Sequence, residues 1–286
     1  MTFNSCGHCT SCHSAKPHYC HDLYGRNFGG TRPDGSVALT GARGPVHSNF
    51  FGQSSFAEFA LCHERNVVKV PTDVPLELLG PLACGIQTGA GSVLNVLAPS
   101  VGESIAIFGV GSVGLSAVMA ARLVGAGTIV AVDLNESRLK MAMALGATHV
   151  VNGAAGPTAD QIRTIMPDGV NYALDATGVP QVILQAIAAL APRGVCGLVG
   201  APPPTGTPIN LADIMATGKT IRGIVEGDST PDLLIPRLVD LYRQGRFPFD
   251  KLVRYYELAD INQAIEDSEK GLTVKPIIRM PNRRSI

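Results

Sequence analysis

Four cysteines near the start stand at a spacing suited to chemistry: Cys6, Cys9, Cys12 and Cys20 form C-x2-C-x2-C-x7-C. Thiolates so spaced wrap one tetrahedral Zn²⁺, with Gly7 and small polar neighbours permitting the tight turns. Four protein ligands leave no open coordination position, so such a site is structural. An iron–sulfur cluster is the rival reading, although Cys20 is followed by His21 and Asp22 and not by proline. A disulfide pair is the third alternative. His8, His13, His18 and His21 crowd the same loop, as competing ligands or, on the plainer reading, as solvated side chains.

The second chemical stretch is Gly109-Val110-Gly111-Ser112-Val113-Gly114. A short apolar run, 104–108, precedes it and reads as a buried strand. An Ala/Leu/Val/Met run of helical length follows, and a second strand at 128–132 ends in Asp133, 19 positions past Gly114. In that context the glycines are a dinucleotide-binding fingerprint. Gly109 permits the turn, Gly111 lets backbone amides approach a pyrophosphate, and Gly114 lets helix and strand pack closely. The helix N-terminus supplies partial positive charge. Asp133 can accept bonds from both hydroxyls of an adenosine ribose and would repel a 2′-phosphate, which favours NAD over NADP.

A third stretch, PLACGIQTGAGSVLN, places Cys84 ahead of an apolar helical pattern. From the residues alone Cys84 passes for a buried core thiol, and Thr88 and Gly89 for helix-packing residues. Cys62 is isolated, a packed or surface thiol.

These groups need elements to hold them. From residue 101 onward strand and helix patterns alternate. Strands are expected at 104–108, 128–132, 149–151, 172–175, 195–199 and 220–225. Helices are expected at 112–124, 135–145, 159–165 and 181–190. Alternation of this kind implies a parallel sheet, and six strands complete a doubly wound α/β fold whose ligands gather at the strand C-termini. Helices at 231–244 and 259–268 and a strand at 273–278 close the chain. Residues 31–80 read as β structure with loops, with strand-like runs at 56–61 and 67–70 and a turn leading into a short helix at 71–80.

A chain of 286 residues suggests about two domains. With 45% hydrophobic and 16% charged residues it has enough apolar sequence for a sizeable core. Its 23 basic and 23 acidic residues balance, which gives no support to a nucleic-acid or anionic-membrane partner. The apolar runs fall short of a membrane span and no leader pattern is visible, so a cytoplasmic location is expected. Seven cysteines in such a chain point to metal binding before disulfides.

The three signals in this order resemble the zinc-dependent medium-chain alcohol dehydrogenase family. FNSCGHCTSC, FFGQSSFAEFAL and LACGIQTGAGSVLN are similar to its aryl-alcohol (benzyl-alcohol) branch. The resemblance implies a Rossmann sheet plus part of a GroES-like β-barrel catalytic domain. Residues 1–85 would be the remnant of that domain with the zinc lobe, 86–228 the NAD-binding domain, and 229–286 a return to the catalytic domain. It assigns Cys6, Cys9, Cys12 and Cys20 to structural zinc, Cys84 to the catalytic zinc, and Thr88 to a place beside the nicotinamide. Gly109, Val110, Gly111, Ser112, Val113 and Gly114 match the pyrophosphate loop, Asp133 the ribose acid, and Arg138 its basic neighbour. Thr177 faces the cofactor, Val199, Ile224 and Glu226 match backbone contacts to the carboxamide, and Lys275 reaches the pyrophosphate.

In that family a preceding barrel region supplies the other catalytic-zinc ligands and the proton relay. Nothing before Cys6 provides them here, and neither His47 nor His63 lies in a ligand motif. The expected activity is NAD-dependent oxidation of aromatic or other primary alcohols to aldehydes, impaired by the missing ligands. The alternatives are a non-catalytic NAD-binding remnant and a zinc-independent, quinone-reductase-like oxidoreductase. A homodimer or homotetramer is expected. An opened barrel would also leave apolar residues exposed, most of all in 36–70.

Overall fold

The computed structural model describes residues 1–53, 55–57 and 59–281. Two short helices, α1 (Thr10–His13) and α2 (Leu23–Phe28), frame the cysteine lobe. A hairpin of β1 (Leu39–Gly41) and β2 (Gly44–Val46) follows. A 3₁₀ stretch, Leu76–Ala83, then leads into α3 (Gly85–Gly91), which continues as a π-helical turn, Ser92–Leu97.

The alternating region comprises β3 (Ser104–Phe108), α4 (Ser112–Leu123), β4 (Thr128–Asp133), α5 (Glu136–Leu145) and β5 (His149–Asn152). Its second half comprises α6 (Thr158–Ile165), β6 (Val170–Asp175), α7 (Pro180–Ala188), β7 (Leu190–Leu198), α8 (Leu211–Thr217) and β8 (Thr220–Gly223). The chain then runs through α9 (Pro231–Arg243), β9 (Val253–Glu257), α10 (Ile261–Glu269) and β10 (Lys275–Arg279).

Six parallel strands form one sheet in the order β5-β4-β3-β6-β7-β8. The order reverses between β3 and β6, which opens a crevice at their C-terminal ends. All five β3 residues are buried, because helices cover both faces of the sheet. Phe108 lies opposite both Val132 and Asp175 in register. The loops after β3, β4 and β6 therefore emerge side by side. On one face α3 lies so close to α4 that a Cβ on Gly89 would fall 1.9 Å from the Val113 carbonyl oxygen. That approach sets Gly85, at the head of α3, beside Ser112 of the glycine loop, where a Cβ on Gly85 would fall 3.0 Å from the Ser112 hydroxyl.

The expected α/β architecture is present, with four local differences. First, residues 67–70 form no strand, and neither do the described residues of 56–61, whose residue 58 lies outside the described set. Alternating side chains make a strand only where another strand pairs with them, and no strand of the described residues pairs with these runs. Second, the helix expected to reach 190 ends at Ala188, and Leu190 instead opens β7. Third, β8 stops at Gly223, which leaves Ile224 and the residues after it as a loop. Fourth, β9 carries no apolar alternation in its sequence (Val-Arg-Tyr-Tyr-Glu) and forms because β10, a crossover away, pairs with it in parallel.

Leu39, Val46, Phe50, Phe56, Phe59 and Leu61 are exposed, in keeping with the apolar surface expected around 36–70. No helix among the described residues is long and apolar enough to cross a membrane.

Candidate active site

The glycine loop is shaped by close contacts. Gly109 has φ +83°, a left-handed turn that sends the chain from β3 toward α4. A Cβ on Gly114 would lie 2.0 Å from the Gly109 carbonyl oxygen, whereas one on Gly111 would meet nothing within 4 Å. Gly111 thus faces open space, where a ligand can come against the backbone. The N-terminus of α4 has no side-chain cap, so its first amides also point into that space.

That space is a cleft of about 600 Å³ at the reversal of strand order. Gly109, Gly111, Ser112, Val113, Gly114, Asp133, Arg138 and Thr177 all line it. The Asp133 carboxylate accepts from the amides of Val110 (2.8 Å), Leu134 (2.8 Å) and Asn135 (2.9 Å). It is fixed before any ligand arrives, with lone pairs left for hydroxyl groups. Asn135 caps α5 by accepting from the Ser137 and Arg138 amides, which turns Arg138 toward the cleft. Val110 itself is buried and contributes its amide to this network.

Asp175, unassigned by the sequence, proves to build the opposite wall. Its fully buried carboxylate accepts from the Thr177 hydroxyl at 2.6 Å and the Gly178 amide at 3.0 Å. The Asp-Ala-Thr-Gly turn is thereby locked against Gly109. An uncapped helix N-terminus, an open Gly111 and a fixed carboxylate at the next strand end together suit a dinucleotide.

Cys84, Thr88 and Glu226 form a second group at the far end. Cys84 breaks the helical path between the 3₁₀ stretch and α3, with φ −144° and ψ −88°. Its Sγ lies 3.6 Å from Glu226 Oε1. Glu226 Oε2 also accepts from Gln87 Nε2 at 3.2 Å and Thr88 Oγ1 at 3.3 Å. The Cys84 side chain reaches solvent, yet its dense surroundings push the thiol up to about 12, and the Glu226 charge adds to that. Enclosure likewise pushes Glu226 up to about 7, opposed by the bonds from Cys84, Thr88 and Gln87. The sequence pointed only to the Glu226 backbone, so this carboxylate and the fully buried Gln87 were missed. They are set 139 residues apart and no local pattern links them.

Lys275 lines a separate cavity with Cys84, apart from the glycine cleft. Ile224 is buried beside β7, and Val199 packs partly buried against the same core. Neither His47 nor His63 stands with Cys84. His63 instead pairs with Arg65, and His47 packs against Gly30. A catalytic zinc needs three protein ligands, and among the described residues Cys84 has Glu226 but no further metal-ligating side chain beside it, which does not meet that requirement.

The cysteine lobe does fit a metal. Its four sulfurs lie within 4.8 Å of one another, near the edge of about 3.8 Å that a tetrahedron with Zn–S bonds of 2.3 Å requires. The Cys6 sulfur accepts from the His8 and Cys9 amides, and the Cys20 sulfur from the Cys6 amide. These bonds favour the thiolate forms, although burial still pushes Cys20 up to about 11. The His8 amide first of all lowers Cys6, and an amide bond from His21 heads those that lower Cys9 to about 6. All seven cysteines are free of disulfides. One lobe histidine departs from the solvated picture. His18 is 4% exposed, with Nδ1 3.1 Å from the Ser229 carbonyl oxygen.

A family model described as zinc-binding dehydrogenase matches residues 112–241. The chain is 47% identical to a geraniol dehydrogenase of Castellaniella defragrans, over 97% of its own length and 75% of that protein's. It superposes with a TM-score of 0.93 on an alcohol dehydrogenase zinc-binding domain protein from Burkholderia ambifaria, with 54% identity, covering 99% of this chain and 77% of that one. The benzyl alcohol dehydrogenase of Acinetobacter calcoaceticus superposes equally well (TM-score 0.93, 48% identity, 98% of this chain, 76% of that one). The chain belongs to the zinc-binding alcohol dehydrogenase family.

Proposed function

We propose that this chain binds NAD in the glycine-lined cleft and forms the coenzyme-binding part of an NAD-dependent dehydrogenase for aromatic or other primary alcohols. The convergence of the Gly109–Gly114 loop, Asp133, Arg138 and Thr177 on one cleft carries the reading. The amides of Gly111, Ser112, Val113 and Gly114 donate to the pyrophosphate. Asp133 accepts from the adenosine ribose, with Arg138 beside it, and disfavours a 2′-phosphate. Thr177 faces the coenzyme, Val199, Ile224 and the Glu226 backbone receive the carboxamide, and Thr88 lies against the nicotinamide, while Lys275, which the resemblance assigns to the phosphates, stands in the neighbouring cavity beside Cys84. The similarity to geraniol and benzyl alcohol dehydrogenases supports an alcohol or aldehyde as partner.

The four-cysteine lobe holds a structural zinc. In relatives with a full ligand set, a catalytic zinc supplies Lewis-acid lowering of an alcohol's pKa. Here Cys84 has no such set among the described residues, and the 286-residue chain by itself is impaired in turnover. The domain division is 1–85, 86–228 and 229–286, and the assembly is a homodimer or homotetramer. The lone Cys84 also favours a second reading, an NAD-binding module without chemistry.

Calorimetry with NAD and NADP, together with NADH formation from benzyl alcohol on zinc-loaded protein, tests both readings. NAD binding, at least about tenfold weaker NADP binding, and turnover about a thousandfold below an intact relative are expected. Absence of NAD binding sinks the proposal, and rapid turnover sinks the impairment.

A further inference from the structure

The loop that follows β8 has an unusual backbone. Glu226, Gly227 and Asp228 have φ of +51°, +66° and +47°, three left-handed residues in a row, two of which carry side chains. L-residues hold such a conformation only where their surroundings impose it.

Two sides of the molecule grip the loop. From α3 and its continuation, Gln87 and Thr88 bond the Glu226 carboxylate, and Asn95 Nδ2 donates to the Gly227 carbonyl at 3.0 Å. The Ser229 hydroxyl donates back to Gln87 Oε1 at 3.1 Å. The other side comes from the cysteine lobe. The Tyr19 hydroxyl donates to Asp228 Oδ1 at 2.8 Å and lies 3.1 Å from the Gly223 carbonyl oxygen. His18 Nδ1 faces only a carbonyl acceptor, that of Ser229, and therefore carries the proton and donates. Arg222 holds the other Asp228 oxygen at 2.8 Å.

His18 and Tyr19 sit in the turn between Cys12 and Cys20, with Tyr19 directly before a metal-binding cysteine. Closing that turn on a metal fixes where the two side chains stand.

We propose that Tyr19 and His18 are positioning residues: the four-cysteine lobe, through them, holds the 224–229 loop and hence the Glu226 side chain against Cys84 and Thr88. The nicotinamide half of the site is thereby tied to the metal state of a lobe that takes no part in the chemistry. This rests on the NAD reading only for its ligand arm.

Hydrogen exchange of the full chain tests the clamp without any ligand. Tyr19→Phe, and separately removal of the lobe metal by chelation, should speed exchange of the 225–229 amides about tenfold. Exchange in β3 should stay unchanged in Tyr19→Phe. The ligand arm compares NADH with ADP-ribose, which lacks the nicotinamide. Tyr19→Phe and His18→Ala should weaken NADH by about five- to tenfold, the scale of one hydrogen bond, and leave ADP-ribose within about twofold. His18→Asn, whose side-chain amide can donate from near the Nδ1 position, should recover most of the loss. Unchanged loop exchange overturns the proposal, as does an equal loss of NADH and ADP-ribose affinity in variants that retain zinc. If the parent chain binds neither nucleotide, the NAD reading fails on its own, and the exchange rates still decide the clamp.

Discussion

The molecule holds two sulfur sites that differ in how they are built. At the lobe, backbone amides point at the sulfurs, and three of the four ligands come from one tight turn of seven residues, Cys6 to Cys12. At Cys84 enclosure and the Glu226 charge push the thiol up to about 12, whereas in the lobe amide bonds lower Cys6 and Cys9 even though burial raises Cys20 to about 11. The lobe carries its metal geometry locally, whereas Cys84 depends on donors from elsewhere. A coordination site is thus complete only where the chain itself brings the other ligands. The glycine-lined cleft resembles the lobe in this respect, since β3, β4 and β6 deliver its parts in register.

Breaking the lobe should produce the largest effect. Cys20→Ser is expected to release the zinc and cost on the order of 4 kcal/mol of stability, read from denaturant unfolding. Unchanged stability with zinc lost would remove the lobe from the list of structural determinants.

A smaller effect is expected in the cleft. Gly114→Ala places a methyl group 2.0 Å from the Gly109 carbonyl, so the loop must shift. About 1–3 kcal/mol of stability and at least about tenfold of NAD affinity should go. Calorimetry with NAD would show whether the loop can give way without loss.

The smallest lies in the C-terminal region, which serves as a control on both sulfur sites. The Tyr256 hydroxyl first, then the Gln263 amide and Arg254, hold the Asp267 carboxyl below the usual carboxylate range. Because the folded value is depressed, its contribution is whole above the unfolded value of about pH 3.9 and fades as pH falls through the folded one. Melting temperatures between pH 2 and 6 should therefore drop more steeply for the parent chain than for Asp267→Asn. Parallel curves would contradict that assignment.

Most of this organisation is legible in the sequence, for identifiable reasons. The glycine loop, Asp133 and the four cysteines are local patterns, in which each residue's role depends on neighbours a few positions away. The sheet is readable because its central strands β3 and β4 are apolar on both faces and bounded by turns. Other features depend on pairing across the fold. Glu226 reaches Cys84 across 142 residues, and His18 reaches Ser229 across 211. β9 exists because of β10. The run at 67–70 shows the converse, a strand-like pattern that finds no partner among the described residues.

Counting zinc tests the contrast between the sulfur sites most directly. Metal analysis of the purified chain and of its Cys6→Ser and Cys84→Ser variants should give about one, zero and one zinc per chain. Two zinc ions per parent chain, or a count that falls on loss of Cys84, would contradict the account.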